Sequence, residues 1–527
     1  MARWDRDVAL IGVAYRSSEW RETLGQAPAA GKLGGFMLRT NIHRIFLTNH
    51  RDRIRGVTMM HAMTDPDLVS RLADEGRRIL LKSLNVISMD PAVGDFQRAD
   101  LLIVGQRIAE IGSDIEGDAT STTVIDAEGY IAVPGMHDTH RHSWQTQFRR
   151  MFVDADSSQY LSTMHQRLAP VYRPEDSYLG NLLAGLGALE SGITCVLDYS
   201  HNTRSADHAD ALVEGWFDAG IRAVHAPTSP AFGEWDHQWP GDLERLQGMY
   251  FSSADQLVTL RVGLMTPLLP GVCEDLWITR PLLEYARGLG LAVSVEGAYG
   301  PLAAQRITEL GQEGLLGPDI TYIHCQDLDD NAWKHIADSG GHVSLAPTSD
   351  SNVGLSSAIT PVQKALDMGM VPTLGCDIEC SLNTDMYAQM QSVLSIQRMF
   401  AHNAKHRGKE DAPEPVSARQ VLEFATIAGA KANALDHKVG TLTPGKEADI
   451  VLINPTGVRS MPLNSAVGTV VMGTDSSTVD AVFVAGRARK WNGQLLDVDV
   501  ESLRRRVLES RDYLLAQAGL PAITSGA

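Results

Sequence analysis

His140 and His142 stand two residues apart in the stretch Pro134-Gly-Met-His-Asp-Thr-His-Arg-His142, directly after the apolar run Tyr130–Val133. Alternate residues of an extended strand share a face, so this spacing aims both imidazoles the same way. Two imidazoles converging at a strand end begin a divalent-metal site. His-x-His alone is common on surfaces; the buried strand and the Pro-Gly before it make this instance specific. Three more residues can complete the chemistry. His324 ends Ile320-Thr-Tyr-Ile-His324, Asp377 follows Val371-Pro-Thr-Leu-Gly-Cys376, and Glu296 ends Ala292-Val-Ser-Val-Glu296. A carboxylate at the end of an apolar strand is costly to bury unless it is paired or bound to a metal. Imidazoles and carboxylates around one cation can activate water for attack on an electrophilic carbon.

The elements that must position these groups alternate. Strand candidates are Ile131–Val133, Thr194–Leu197, Arg222–His225, Arg261–Met265, Ala292–Val295, Ile320–His324, His342–Leu345 and Val371–Leu374. Helical periodicity fills the gaps, as in Asp207–Asp218, Ile278–Leu289, Asn331–Ser339 and Pro361–Met368. Eight strands with intervening helices over 134–438 predict an α/β fold, a (β/α)8 TIM-like barrel, whose catalytic residues lie at strand C-terminal ends. On either side the texture is β-rich: Ile79–Ser88, Ala99–Val104 and Ile108–Gly112 early, Ala448–Ile453 and Val479–Gly486 late. Residues 77–133 and 439–495 therefore predict one small composite β-sandwich domain built from N- and C-terminal segments. Residues 496–527 read as a C-terminal helix and tail.

Residues 1–76 stand apart as an N-terminal extension without clear periodicity. Positions 1–60 hold ten Lys/Arg against five Asp/Glu, while the whole chain has a net charge of −18. The segment reads as an arm, an oligomer contact, or a stretch ahead of a later start at Met59, Met60 or Met63. The acidic balance argues against a nucleic-acid partner. No apolar run approaches the roughly 20 residues of a membrane span. Five scattered cysteines suit a reducing compartment, and the first residues lack a secretory apolar core, so the expected location is the cytoplasm.

Several phrases together resemble the amidohydrolase superfamily, in its branch of cytosine and guanine deaminases and triazine (atrazine-type) hydrolases. They are Pro134 to His142 with Ser-Trp-Gln after it, Gly192-Ile-Thr-Cys-Val-Leu-Asp198, Ile323-His-Cys325, Gly375-Cys-Asp377, and Gly440-Thr-Leu-Thr-Pro-Gly-Lys-Glu-Ala-Asp-Ile-Val-Leu452. The resemblance covers about 78–495. It implies that His140, His142 and Asp377 bind one divalent metal, zinc first with iron or manganese as alternatives. It further implies that Asp377 takes a proton from the attacking water, that His324 polarises the substrate or leaving group, and that the protein is a homo-oligomer acting on a small molecule.

The fifth strand departs from the family pattern. Glu296 stands where the family has a histidine ligand, and Tyr299 stands where its deaminases carry a proton-shuttling glutamate. Glu296 is then either a ligand, giving two imidazoles and two carboxylates, or a proton shuttle over a three-residue site. The extra carboxylate of the first arrangement would offset the metal's charge and acidify water less. Other polar residues at the strand ends, Trp144, Gln145, His201 and Tyr299, are expected to face the substrate. The leading expectation is hydrolysis of a C–N bond (amide, amidine or ring) in a small cyclic compound. A lyase or isomerase on the same metal barrel, and a non-catalytic scaffold, are the alternatives.

Overall fold

A computed structural model describes residues 57–59, 66–118, 120–253, 255–267 and 274–523. Most of the extension expected over 1–76 lies outside the described residues. Its described part is a strand, β1 (Val57–Met59), and a helix, Pro66–Ala73. Strands β2 (Arg78–Val86), β3 (Phe96–Val104), β4 (Arg107–Gly112), β5 (Thr123–Asp126) and β6 (Ile131–Pro134) follow. The middle of the chain supplies β7 (Met136–Arg141), β8 (Ile193–Ser200), β9 (Arg222–Pro227), β10 (Val258–Leu260), β11 (Val262–Met265), β12 (Val293–Glu296), β13 (Ile320–Ile323), β14 (His342–Leu345) and β15 (Thr373–Leu374). The last four are β16 (Ile450–Ile453), β17 (Val479–Val484), β18 (Arg487–Trp491) and β19 (Gln494–Leu495).

Strands from both ends share one ten-stranded mixed sheet, in the order β1-β5-β2-β6-β16-β17-β18-β19, with β3 paired to β2 and β4 to β3. Its seam is the antiparallel pair β6–β16, in which Ile131 faces Ile453 and Pro134 faces Ile450. Composite β structure from the two ends is therefore present.

The middle strands form two parallel sheets, β10-β9-β8-β7 and β11-β12-β13-β14-β15. Parallel neighbours need a crossover, and helices supply it: Pro174–Glu190 before β8, Ala206–Ala219 before β9, Arg280–Gly288 before β12, Gly300–Gln312 before β13, Asp330–Asp338 before β14 and Val362–Asp367 before β15. Covered on both faces, these strands are buried on both sides rather than alternating between core and solvent; all eight residues of β8 and all six of β9 are buried. The sheets meet at two places. Between β10 and β11, the Arg261 amide donates to the His225 carbonyl at 2.8 Å and the Val262 amide to the Ala292 carbonyl at 2.9 Å. Beyond β15, Asp377 bridges in parallel to Arg141 of β7.

One boundary differs from expectation. The run Ile131–Val133 is not the first strand of the parallel set but the composite-sheet strand β6; the histidine-bearing strand is β7, two residues on. The changeover is at Gly135. Its amide still donates to the Asp449 carbonyl of the composite part, whereas the Met136 amide donates to the Gly192 carbonyl. A Cβ on Gly135 would lie 2.0 Å from Thr194 Oγ1, so only glycine lets the chain pass between the two sheets here. A short strand–glycine–strand run carries no periodicity that separates it from one longer strand.

Candidate metal centre

His140 lies on β7 and His142 just beyond it, held to Asp377 by a backbone exchange across the β7–β15 gap. The Asp377 amide donates to the His140 carbonyl at 2.8 Å, and the His142 amide donates to the Asp377 carbonyl at 3.0 Å. Gly375 permits this approach, because a Cβ there would sit 2.7 Å from His140 Cβ. A buried ion-pair network ties the same two strands. Arg141 Nε lies 2.6 Å from Asp138 Oδ2 and its Nη1 2.6 Å from Glu379 Oε1, while Arg149 Nε reaches the other Glu379 oxygen at 2.9 Å. Asp138 Oδ1 also accepts from the Cys376 amide at 2.9 Å.

The side chains converge. His140 Nε2 is 3.0 Å from Glu296 Oε2 and 3.1 Å from Asp377 Oδ1, and His142 Nε2 is 3.1 Å from that same Asp377 oxygen. His324 Nε2 lies 3.1 Å from Glu296 Oε1 and 4.0 Å from Asp377 Oδ2. His140, His142 and Asp377 form one set of donors within 4.8 Å of one another; His140, Glu296 and His324 form a second. His140 Nε2, Glu296 Oε2 and Asp377 Oδ1 are buried and make no hydrogen bond of proper geometry. Buried polar atoms without partners are costly. Three of them close together, one imidazole nitrogen and two carboxylate oxygens, with His142 Nε2 beside them, are what a divalent cation would satisfy.

Surrounding groups set the orientation. The His142 Nδ1 edge meets the Tyr199 carbonyl at 3.0 Å, leaving Nε2 for the cluster. His324 Nδ1 meets Asp350 Oδ1 at 2.9 Å. Ser349 Oγ donates to Asp377 Oδ2 in a short contact. His324 and Asp377 both adopt left-handed backbone, φ +73° and +62°, strain of the kind that clusters at functional sites. Burial alone would raise the carboxyls of Glu296 and Asp377, but the imidazoles around them dominate and hold both below the usual carboxylate range.

A cavity of ≈ 240 Å³ opens over the cluster, lined by His142, Glu296, His324 and Asp377 together with His201 and Tyr299. Burial pushes the Tyr299 phenol up, so it stays protonated. Trp144 and Gln145, expected at the substrate, stand behind this wall instead and are fully buried. They sit in the turn Ser143–Phe148, whose six residues are all buried. Trp144 packs edge-on to Tyr172 at 5.0 Å between ring centres. Trp144, expected to face the substrate, is packed inside. Sequence reasoning missed Ser349, Asp350, Tyr160 and His165. Asp350 follows β14 in Pro347-Thr-Ser-Asp350, so the strand-end rule that found Asp377 would have found it. Tyr160 and His165 lie on the helical segment Ser157–Leu168, which reaches the cavity from a long excursion after β7 and has no local signal.

Parallel strands with helical crossovers and a cluster of imidazoles and carboxylates at their C-terminal ends define a metal-dependent hydrolase class of architecture. Over residues 296–489 the chain matches the amidohydrolase family model. It is 28% identical over 455 residues to a 5'-deoxyadenosine deaminase of Methanosarcina acetivorans, covering 84% of this chain and 99% of that protein. It is 26% identical over 443 residues to a 5-methylthioadenosine/S-adenosylhomocysteine deaminase of Moorella thermoacetica, covering 82% and 98%. Among solved structures, an adenosine deaminase from Xanthomonas campestris with bound zinc superposes with TM-score 0.71 at 19% identity, covering 83% of this chain and 98% of that one. An atrazine chlorohydrolase mutant from Arthrobacter aurescens, complexed with zinc and atraton, gives 0.70 at 22% identity, covering 82% and 100%. No helix among the described residues is long and apolar enough to cross a membrane.

Proposed function

We propose that this chain is a hydrolytic deaminase of a small nitrogen heterocycle of the adenosine type. Water adds to the ring carbon that bears the exocyclic amino group, the C–N bond breaks, and an oxo product and ammonia leave. The observation that carries the reading is the convergence of His142, Glu296 and Asp377 on His140, with His140 Nε2, Glu296 Oε2 and Asp377 Oδ1 left without hydrogen-bond partners. The names of the curated relatives supply the substrate type.

His140, His142, Asp377 and the Oε2 edge of Glu296 would hold one divalent ion, zinc first. When bound, such an ion supplies Lewis acidity that brings the pKa of water down toward neutrality. Asp377 takes the water's proton, its second oxygen held by Ser349. His324 has a carboxylate at each nitrogen, Asp350 on one side and Glu296 on the other, and so donates from both. It stands where a proton must reach the ring nitrogen or the departing amine, the task for which Tyr299 lacks an acid. Tyr299 bounds the cavity beside it, ring centres 6.0 Å apart.

The same reading takes the two parallel sheets as a single (β/α)8 barrel, joined through Arg261 and through the Arg141–Asp377 bridge. The ten-stranded sheet, which has apolar clusters of its own, is taken as a composite β-sandwich domain.

Incubation of the purified protein with 5'-deoxyadenosine, adenosine and an amino-substituted triazine tests the function. Ammonia release, with heavy oxygen from labelled water in the product, is expected for at least one of them. Turnover without oxygen incorporation would replace hydrolysis by elimination or isomerisation.

A further inference from the structure

Two imidazoles outside the ligand cluster face the same cavity, and hydrogen bonds fix where each carries its proton. Trp144 Nε1 donates to His201 Nδ1 at 3.0 Å. An indole N–H can only donate, so His201 Nδ1 is an acceptor and the ring's proton lies on Nε2. A chain of donors does the same for His165. The Cys380 thiol points at Gln145 Oε1 at 3.3 Å, which turns the amide so that Gln145 Nε2 donates to the Tyr160 hydroxyl at 2.6 Å. The hydroxyl's own proton is then left for His165 Nε2, 3.0 Å away. Neutral His165 therefore carries its proton on Nδ1.

The placement of the pair is also defined. His201 stacks on His142 with ring centres 4.0 Å apart and planes 17° apart. His165 meets His201 edge-on, 4.6 Å between centres at 81°. Both rings line the cavity above the cluster, and the hydrogen bonds that fix them leave His201 Nε2 and His165 Nδ1 without a described protein partner. A relay of four side chains spent on setting two tautomers is more than packing requires. The cavity's charge points the same way. Its described lining contains no lysine or arginine, while Glu296 and Asp377 supply carboxylates. An anionic group on a ligand would be desolvated there with no lysine or arginine to meet it, and His324 is already held between the Asp350 and Glu296 carboxylates.

We propose that His201 Nε2–H and His165 Nδ1–H form an uncharged donor pair that holds acceptor atoms of a neutral, ring-bearing substrate above the cluster. The site thereby takes an uncharged substituent in preference to an anionic one. The inference rests on the heterocycle-hydrolase reading for the identity of its ligand, and its test separates the two.

The experiment uses the metal-loaded full-length protein, with 5'-deoxyadenosine as the neutral probe and adenosine 5'-phosphate as its anionic counterpart. Binding is measured by calorimetry and turnover by ammonia release, for the wild type, His201→Phe, His165→Phe, His201→Asn and Tyr160→Phe. The wild type is expected to bind the neutral probe at least about tenfold tighter than the phosphate. Loss of one donor should raise Kd and KM for the neutral probe about tenfold, the worth of one hydrogen bond, with kcat within about threefold. His201→Asn, which keeps an N–H, should recover part of the loss. Tyr160→Phe, which frees the His165 tautomer without touching the ring, should raise KM by a smaller factor. Metal content and thermal midpoint, measured alongside, separate these effects from a structural role. Binding without ammonia release would end the deaminase reading while leaving the donor pair supported by the Kd shifts. Unchanged Kd in both phenylalanine variants, equal affinity for the two probes, or no binding of the neutral probe would overturn the donor pair.

Discussion

Asp350 Oδ1 lies 2.9 Å from His324 Nδ1, on the edge of the ring that faces away from Glu296. The other Asp350 oxygen accepts from Thr360 Oγ1 at 2.6 Å, so the carboxylate is pinned at both ends. Burial alone would raise the Asp350 carboxyl, and it does so despite His324, leaving it above its usual range. A carboxylate behind a working imidazole fixes its tautomer and direction. Asp350→Asn should lower turnover by about 10–100-fold at unchanged metal content. Equal kcat in the variant would remove Asp350 from the mechanism.

Glu296 gives one oxygen to His324 and turns the other, without a hydrogen bond of its own, toward His140. Glu296→His should retain a metal ion while shifting selectivity toward zinc over manganese, because an imidazole replaces a hard oxygen donor. Competitive loading with the two metals, read by elemental analysis, checks this. Unchanged selectivity would place Glu296 outside the coordination set.

Arg141, Asp138 and Glu379 form a fully buried network between β7 and the segment after β15. Removing one member leaves an uncompensated charge in the interior. Arg141→Met should cost about 3–5 kcal/mol of stability by urea unfolding, and the histidines it positions should lose their metal well before the protein unfolds. A cost under about 1 kcal/mol would mean that solvent reaches the network.

Glu379 also predicts an acid response. Burial alone would raise its carboxyl, but Arg149 and Arg141 outweigh burial and hold it below its usual range. The unfolded chain therefore binds this proton more readily than the folded one. The contribution is fully present above the unfolded value, about pH 4.3, and is lost as pH falls through the lower folded value. Urea midpoints measured from about pH 6 down to pH 3 should fall more steeply for the wild type than for Glu379→Gln. Parallel curves would refute the assignment.

How much of this was legible in the sequence follows from what each signal depends on. Glu296, His324 and Asp377 follow apolar runs at strand ends, while His140 and His142 are marked by their alternate spacing after Pro134-Gly135; strand ends in a parallel sheet converge by topology, and the structure brings all five together. Helices such as Ala206–Ala219 and Asp330–Asp338 lie within a residue or so of their periodic patterns. The β6–β7 changeover was not legible, because it depends on the space that Thr194 leaves at Gly135. Trp144 was misjudged because a side chain's facing is set by its neighbours, here Tyr172 and His201, which come from other elements. Tyr160 and His165 were invisible for a related reason: their segment folds back over the site by packing that no local spacing encodes.

The account stands on a divalent ion held by His140, His142 and Asp377. Its most direct test is the metal content of the purified protein by plasma emission spectrometry, in the wild type and in His140→Ala and Asp377→Ala variants that keep the wild-type circular dichroism. The account predicts one ion per chain in the wild type and a small fraction of that in either variant. A metal-free wild type that still turns over substrate, or variants that retain a full complement of metal, would contradict it.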